Sequence, residues 1–138
     1  MATITTVYKG DMLFESTDGQ HTISIDVPAN MGGKERGFMP PQLFIVSLGA
    51  CVAALITEYC EHHDIDASGL AVDVQFDKVA KPARLTDIRT VVKLPNADVK
   101  NREKALQHVA EHCPVHETII SMTSMEIEIL DRSDLVTG

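Results

Sequence analysis

An α+β fold is what this sequence predicts, on three observations. Short runs with period-two alternation fill the first fifth and the middle of the chain. One long apolar run and one amphipathic run with three- and four-residue steps mark two helices, and no segment repeats or thins into a linker. The predicted order is three strands, a helix, two strands, a helix and a last strand. At 138 residues the chain is expected to form one domain spanning 1–138. A chain of this size buries roughly two thirds of its unfolded surface, so neither a disulfide framework nor a metal is needed to fold it.

The strands are read first. Ile4 to Tyr8, Met12 to Ser16 and Gln20 to Val27 are β-rich runs, with Lys9-Gly10-Asp11 and Ser16-Thr17-Asp18-Gly19 as punctuation. In the third run Ile23, Ile25 and Val27 alternate with Ser24 and Asp26, which suits a sheet with one wet face. From Pro28 to Pro41, Gly32, Gly33, Gly37 and the Pro40-Pro41 pair surround Lys34-Glu35-Arg36, and the stretch reads as a long loop.

A helix is predicted from Gln42 to about His63, opening after two prolines as helices tolerate. Over the 14 residues from Leu43 to Ile56 only Ser47 and Gly49 interrupt the apolar run. A bilayer needs about 20 such residues, so this reads as a core helix with no membrane role. Apolar on every side, it must be covered on every side, which argues for a homodimer in which two such helices meet. A monomer whose later helix caps the open face is the alternative.

Past Asp64 to Gly69, Leu70, Val72, Val74 and Phe76 alternate with Asp73, Gln75 and Asp77, and Lys81-Pro82-Ala83 breaks that strand. A second strand has Ile88, Thr90, Val92 and Leu94 on one side. Asp98 is the expected N-cap of a helix running to about His112, with Val99, Leu106, Val109, Ala110 and Cys113 inward. Met125, Ile127 and Ile129 alternating with Glu126 and Glu128 predict a final strand.

Charge and composition narrow the function. Twelve Lys+Arg against 20 Asp+Glu give a net charge of −8. An acidic chain with no basic cluster and no Trp is a poor nucleic-acid binder, because phosphate contacts and base stacking supply that affinity. Three cysteines, an odd number, and no signal peptide point to free thiols in a reducing, cytoplasmic compartment.

Cys51 and Cys60 lie nine positions apart on one helix. That is a rotation of about 900° and a rise of about 13 Å, so they face opposite ways and cannot pair. Cys113, on the apolar face of the second helix, shares the core with Cys51 if the two helices pack, which opens an intramolecular redox pair. Cys60 reads as a bystander among Glu58, Glu61, His62 and His63. A thiol of pKa about 8.5 is only a few per cent thiolate at neutral pH, and apolar burial lowers that further. Cys51 lies nearly three turns into its own helix, beyond reach of that helix's dipole. A cation must therefore reach it, from Lys34 or Arg36 on the preceding loop or from Lys81 or Arg84 between the middle strands.

The stretch Gly37-Phe38-Met39-Pro40-Pro41-Gln42-Leu43-Phe44, followed by Ser47-Leu48-Gly49-Ala50-Cys51, resembles the helix-opening signature of the OsmC/Ohr family. Cys113-Pro114-Val115, 62 positions after Cys51, resembles that family's second-cysteine motif. The resemblance covers essentially the whole chain. It implies an OsmC-like fold, with antiparallel sheets packed around two long central helices of an intertwined homodimer and active sites at the subunit interface. It also implies thiol-dependent reduction of organic hydroperoxides: Cys51 as the attacking thiolate, Cys113 as the resolving thiol, and an external lipoyl-type dithiol as reductant, with no cofactor or metal. Phe38, Met39 and Phe44 would line the pocket for the alkyl group.

The sequence departs from the family pattern at two places. Pro41 stands where peroxidase members commonly carry a Glu, and no Arg between Met1 and Ala29 matches the arginine that they supply from the early strands. Arg36 with Glu35, beside Lys34, is the substitute pair available on the loop. Two rivals follow: a redox-silent module binding a small apolar ligand at the dimer interface, and a metal site built from His112, Cys113 and His116 with His62, His63 or Cys60. A Cys-His hydrolase lacks a group placed to orient either histidine.

Overall fold

Three strands open the chain as an antiparallel meander, β1 (Thr5–Gly10), β2 (Leu13–Thr17) and β3 (Thr22–Ile25), in a computed structural model that describes residues 1–135. The last three positions of the expected 1–138 domain lie outside the described residues. The first hairpin turns at Asp11 and Met12, whose φ of 53° and 63° give the double left-handed bend that matches strand twist. Its pairing shifts register between Tyr8 and Gly10. At the second turn the Asp18 carboxylate accepts the Gln20 and His21 N–H groups, while Gly19 takes φ 96°.

The chain then buries Ile25, Asp26 and Val27 in succession and enters the glycine-rich loop. The loop is not free. Phe38 bridges Ile25, Asp26 N–H donates to the Phe38 carbonyl, and Gly33 N–H donates to Pro28.

Helix α1 (Pro40–His62) begins two residues earlier than predicted. Pro at the first two helical positions removes N–H groups that would be orphans there, and Gln42 Oε1 accepts the Met39 N–H at 2.9 Å. Ile45, Leu48, Val52, Ile56 and Cys60 form its buried stripe at three- and four-residue steps. Each such aliphatic residue contributes roughly 1.5–3 kcal/mol by leaving water. The helix is 23 residues with a mean hydropathy of 2.0 over its best window, so by length and composition alone it could cross a membrane, which the 14-residue interval understates. In the fold it is the core helix, packed on the second sheet and on two later helices. One side stays open: Phe44, Val46, Ser47, Ala50 and Ala54 are exposed.

β4 (Ala71–Ala80) and β5 (Ala83–Lys93) make a second, two-stranded antiparallel sheet. They are longer than predicted because Pro82 turns the hairpin rather than ending the strand. Opposite Phe76 the register slips, with Asp87 at φ 53°, a bulge that adds twist.

The second predicted helix is corrected into pieces. Val99, and not the expected Asp98, is the N-cap of a single 3₁₀ turn at Lys100–Arg102, where Asp98 Oδ1 accepts the Lys100 N–H; α2 then runs Glu103–Glu111 and a separate α3 runs Pro114–Ser121. Cys113 is therefore the N-cap of α3 and not the end of α2. The expected final strand is also corrected. Met125–Ile129 joins no ladder, every residue from Ser121 to Leu135 is exposed, and the described chain ends in a short turn of helix, α4 (Arg132–Leu135). Alternation alone does not make a strand, because backbone groups need a neighbour to pair with. The principal core lies between α1, α2, α3 and the β4–β5 sheet, and holds Cys60 and Cys113 with Leu48, Val52, Ile56 and Leu106.

Candidate functional site

Two elements carry sulfur into the same core. Cys51 sits one residue before Val52 on α1, at the edge of the buried stripe, and is half-buried; Cys113 comes from the bend between α2 and α3 and is fully buried. Both thiols are free, and Cys51 packs against the core cluster that holds Cys113. Cys60 is free and buried in the same cluster, where burial alone pushes its thiol up.

The α3 N-terminus meets the Cys113 sulfur. Cys113, with the extended backbone of an N-cap, accepts the His116 N–H at 3.4 Å, and Glu117 N–H donates to the Cys113 carbonyl at 2.9 Å. The Val115 N–H acts on Cys51. Burial pushes the Cys51 thiol above its ordinary range, and hydrogen bonding and charge repulsion with Cys113 push the same way. Only the Val115 amide pulls it down. No cationic side chain acts on it among the described residues.

The loop charges are engaged elsewhere. Arg36 Nε donates to Asp26 Oδ2 at 2.5 Å and Arg36 Nη2 to the Asp11 carbonyl, while Lys34 pairs with Asp11 at 3.5 Å. Glu35 is exposed at φ 54°. Asp26, fully buried, also accepts N–H groups from Val27, Lys34 and Arg36, so the Arg36 guanidinium and these amides hold its carboxyl far below the usual carboxylate range. This pair, buried on the Asp26 side, anchors the loop to β3. It carries no contact to Cys51.

Phe38 and Phe44 are exposed and Met39 half-buried. None of them walls the groove of about 670 Å³ that runs between α1, β5, α2 and α3. Its apolar walls include Leu48, Val52, Val92, Leu106 and Ile119, and its polar rim includes Glu103, Glu111 and His116. Among the described residues no three His, Cys, Asp or Glu side chains converge as a metal site. His112 Nδ1 is bonded to the His108 carbonyl and His63 Nδ1 to that of Tyr59.

The sequence reading missed the first turn of α3 and the groove beside it. Cys113-Pro114 held the signal for the turn, since a capping residue followed by Pro at the first helical position opens a helix.

Comparison with known proteins agrees with this architecture. The profile of the family described as OsmC-like protein matches residues 32–128. Among curated proteins, none matches the sequence. The crystal structure of a candidate osmotic stress induced and detoxification response protein from Psychrobacter arcticus 273-4 superposes with a TM-score of 0.76 at 25% identity, covering 86% of this chain and 88% of that one. An OsmC like protein from Mycoplasma pneumoniae gives 0.72 at 22%, covering 88% of each chain. An organic hydroperoxide resistance protein OsmC from Legionella pneumophila gives 0.65 at 21%, covering 88% of this chain and 90% of that one.

Proposed function

This chain belongs to the OsmC-like protein family, and from that membership we propose that it reduces organic hydroperoxides with a Cys51/Cys113 thiol pair. The observation that carries the proposal is that the two free thiols, carried by separate helices, share one core cluster. The name of the Legionella pneumophila structure, an organic hydroperoxide resistance protein, supports the choice of substrate.

In this reading the Cys51 thiolate attacks the terminal oxygen of ROOH, the O–O bond breaks, and Cys51 becomes a sulfenic acid while the alkoxide takes a proton. Cys113 then attacks the Cys51 sulfur and hydroxide leaves, so two thiols are oxidised to a disulfide and ROOH is reduced to alcohol and water. An external lipoyl-type dithiol restores the pair. No cofactor or metal takes part. Activation of Cys51 by Lys34, Glu35 and Arg36 requires Arg36 to leave Asp26. Phe38, Met39 and Phe44 form the alkyl pocket only if a second subunit closes over them. The reading therefore includes the intertwined homodimer, working in the cytoplasm.

A stoichiometric dose of cumene hydroperoxide should remove two thiols per chain, and Cys51→Ser should stop the consumption. The second reading is a redox-silent module that holds a small apolar ligand. It is favoured by the apolar groove and by the lack of a cation at Cys51 among the described residues. Peroxide consumption no faster than that of free cysteine, together with thermal stabilisation of Cys51→Ser by an apolar ligand, selects it.

A further inference from the structure

Two imidazoles one helical turn apart can chelate a metal ion, and α2 carries such a pair outside the thiol chemistry. We propose that His108 and His112, at the C-terminal end of α2, bind one divalent cation of the nickel, copper or zinc class through their two rings, with water filling the rest of its coordination shell. The site is separate from the thiol pair and stands whether or not the protein reduces hydroperoxides.

Spacing brings the rings together. Positions four apart share one face of a helix, and the His108 and His112 ring centroids lie 4.0 Å apart at 37°. Imidazole nitrogen sits about 2.1 Å from such a cation, so two nitrogens in neighbouring positions of its shell are about 3 Å apart. Both side chains are exposed, and a small rotation of the rings reaches that separation with the backbone in place. The tautomer of His112 is set as well. Its Nδ1 lies 2.7 Å from the His108 carbonyl oxygen, and a carbonyl only accepts, so Nδ1 carries the proton and the Nε2 lone pair is left for a metal. A backbone carbonyl on the nitrogen that does not ligate is the common support of a metal-bound histidine.

Charge favours a cation at this place. His112 is the C-cap of α2, where the last carbonyls leave partial negative charge, and Glu111, held by the Gln107 amide at 3.0 Å, adds a carboxylate beside it in sequence. Imidazole suits nickel, copper and zinc, whereas magnesium and calcium take oxygen ligands, which sets the class of ion. The other ligands near His112 in sequence lie elsewhere: Cys113 is fully buried, and His116, on the separate α3, lines the apolar groove. His63 repeats the local geometry, stacked at 4.0 Å on Tyr59 with Nδ1 on the Tyr59 carbonyl, but its neighbour is a phenol. It is the internal control.

Untagged wild-type protein with its thiols reduced is titrated with Ni²⁺ and followed by amide NMR. One ion should bind per chain, with paramagnetic broadening centred on His108 to His112. His108→Gln and His112→Gln should each weaken binding about a hundredfold, because a single ring forfeits the chelate advantage. His63→Gln and His116→Gln should leave it unchanged. Since both rings are exposed, the variants should keep the wild-type circular dichroism, and binding is compared in folded protein. Broadening centred elsewhere, a nickel-to-thiolate absorption band, an equal loss in His116→Gln, or undiminished affinity in the double variant His108→Gln/His112→Gln overturns the proposal.

Discussion

At Cys51 the balance of influences favours the protonated form, since burial and Cys113 outweigh the Val115 amide. Its pKa therefore lies above the ordinary thiol value. The thiolate fraction then rises about tenfold per pH unit below the pKa. Hydroperoxide consumption should climb with that slope from pH 7 to pH 9 in a stopped-flow titration, and a plateau below pH 8 would show a cation at the sulfur. Asp26 has the opposite shift. Held low by Arg36 and three amides, it is ionised in the native protein where the unfolded carboxyl, near 3.8, already takes a proton. The native state binds fewer protons there, so this contribution is whole above pH 4 and is lost as pH falls through the folded value. Asp26→Asn leaves Arg36 without its carboxylate and should lower the Tm by about 10 °C at pH 7. The gap to wild type should narrow as calorimetry moves below pH 4.

Element by element, the loop before α1 is held by contacts that leave no room for a side chain. A Cβ on Gly33 would overlap the Val27 carbonyl oxygen and lie 2.5 Å from Asp26 Oδ1. Gly33→Ala must therefore displace the segment that delivers Phe38 and Met39 to α1, and should unfold well below wild type in a thermal melt. In α1, Ile56 is 1% exposed, so Ile56→Ala should cost about 3 kcal/mol, read as a lower urea midpoint at unchanged m-value. These elements were legible in the sequence because their signals are local: glycine and Asx turns for the meander, apolar period and paired prolines for α1. That Cys51 and Cys113 share one core was legible too, although Cys113 reaches it from the start of α3 and not from the face of α2. Signals with two meanings failed. Pro82 read as a strand breaker and is a hairpin turn, and Cys113-Pro114 read as the end of one helix and is the start of another. The His116 amide on the Cys113 sulfur was invisible because a backbone donor has no residue-type signature.

On the scale of the whole molecule, a single copy leaves its surfaces unfinished. The β4–β5 sheet has two strands, below the three that usually make a sheet stable. The meander keeps Ile4, Val7, Tyr8 and Ile23 exposed, and α1 keeps Phe44 and Val46 exposed beside Ala50 and Ala54. Met125, Ile127 and Ile129 are 80%, 91% and 87% exposed while Glu126 and Glu128 alternate between them, the pattern of a strand that lacks a ladder. Soluble monomers rarely leave so many large apolar side chains in water, and a net charge of −8 opposes nonspecific clustering without covering them. The proposed homodimer meets both needs, since a second copy can cover the open side of α1 and offer a sheet edge to 125–129. Sedimentation at micromolar concentration should give twice 15.1 kDa for the wild type. Ile127→Lys, which places a charge in the middle of that apolar alternation, should shift the protein toward a single-chain mass and slow hydroperoxide turnover together. A wild type that sediments as one chain would remove the dimer from the mechanism, and with it the closed pocket at Phe38, Met39 and Phe44, leaving the groove between α1, β5, α2 and α3 as the place for the alkyl group.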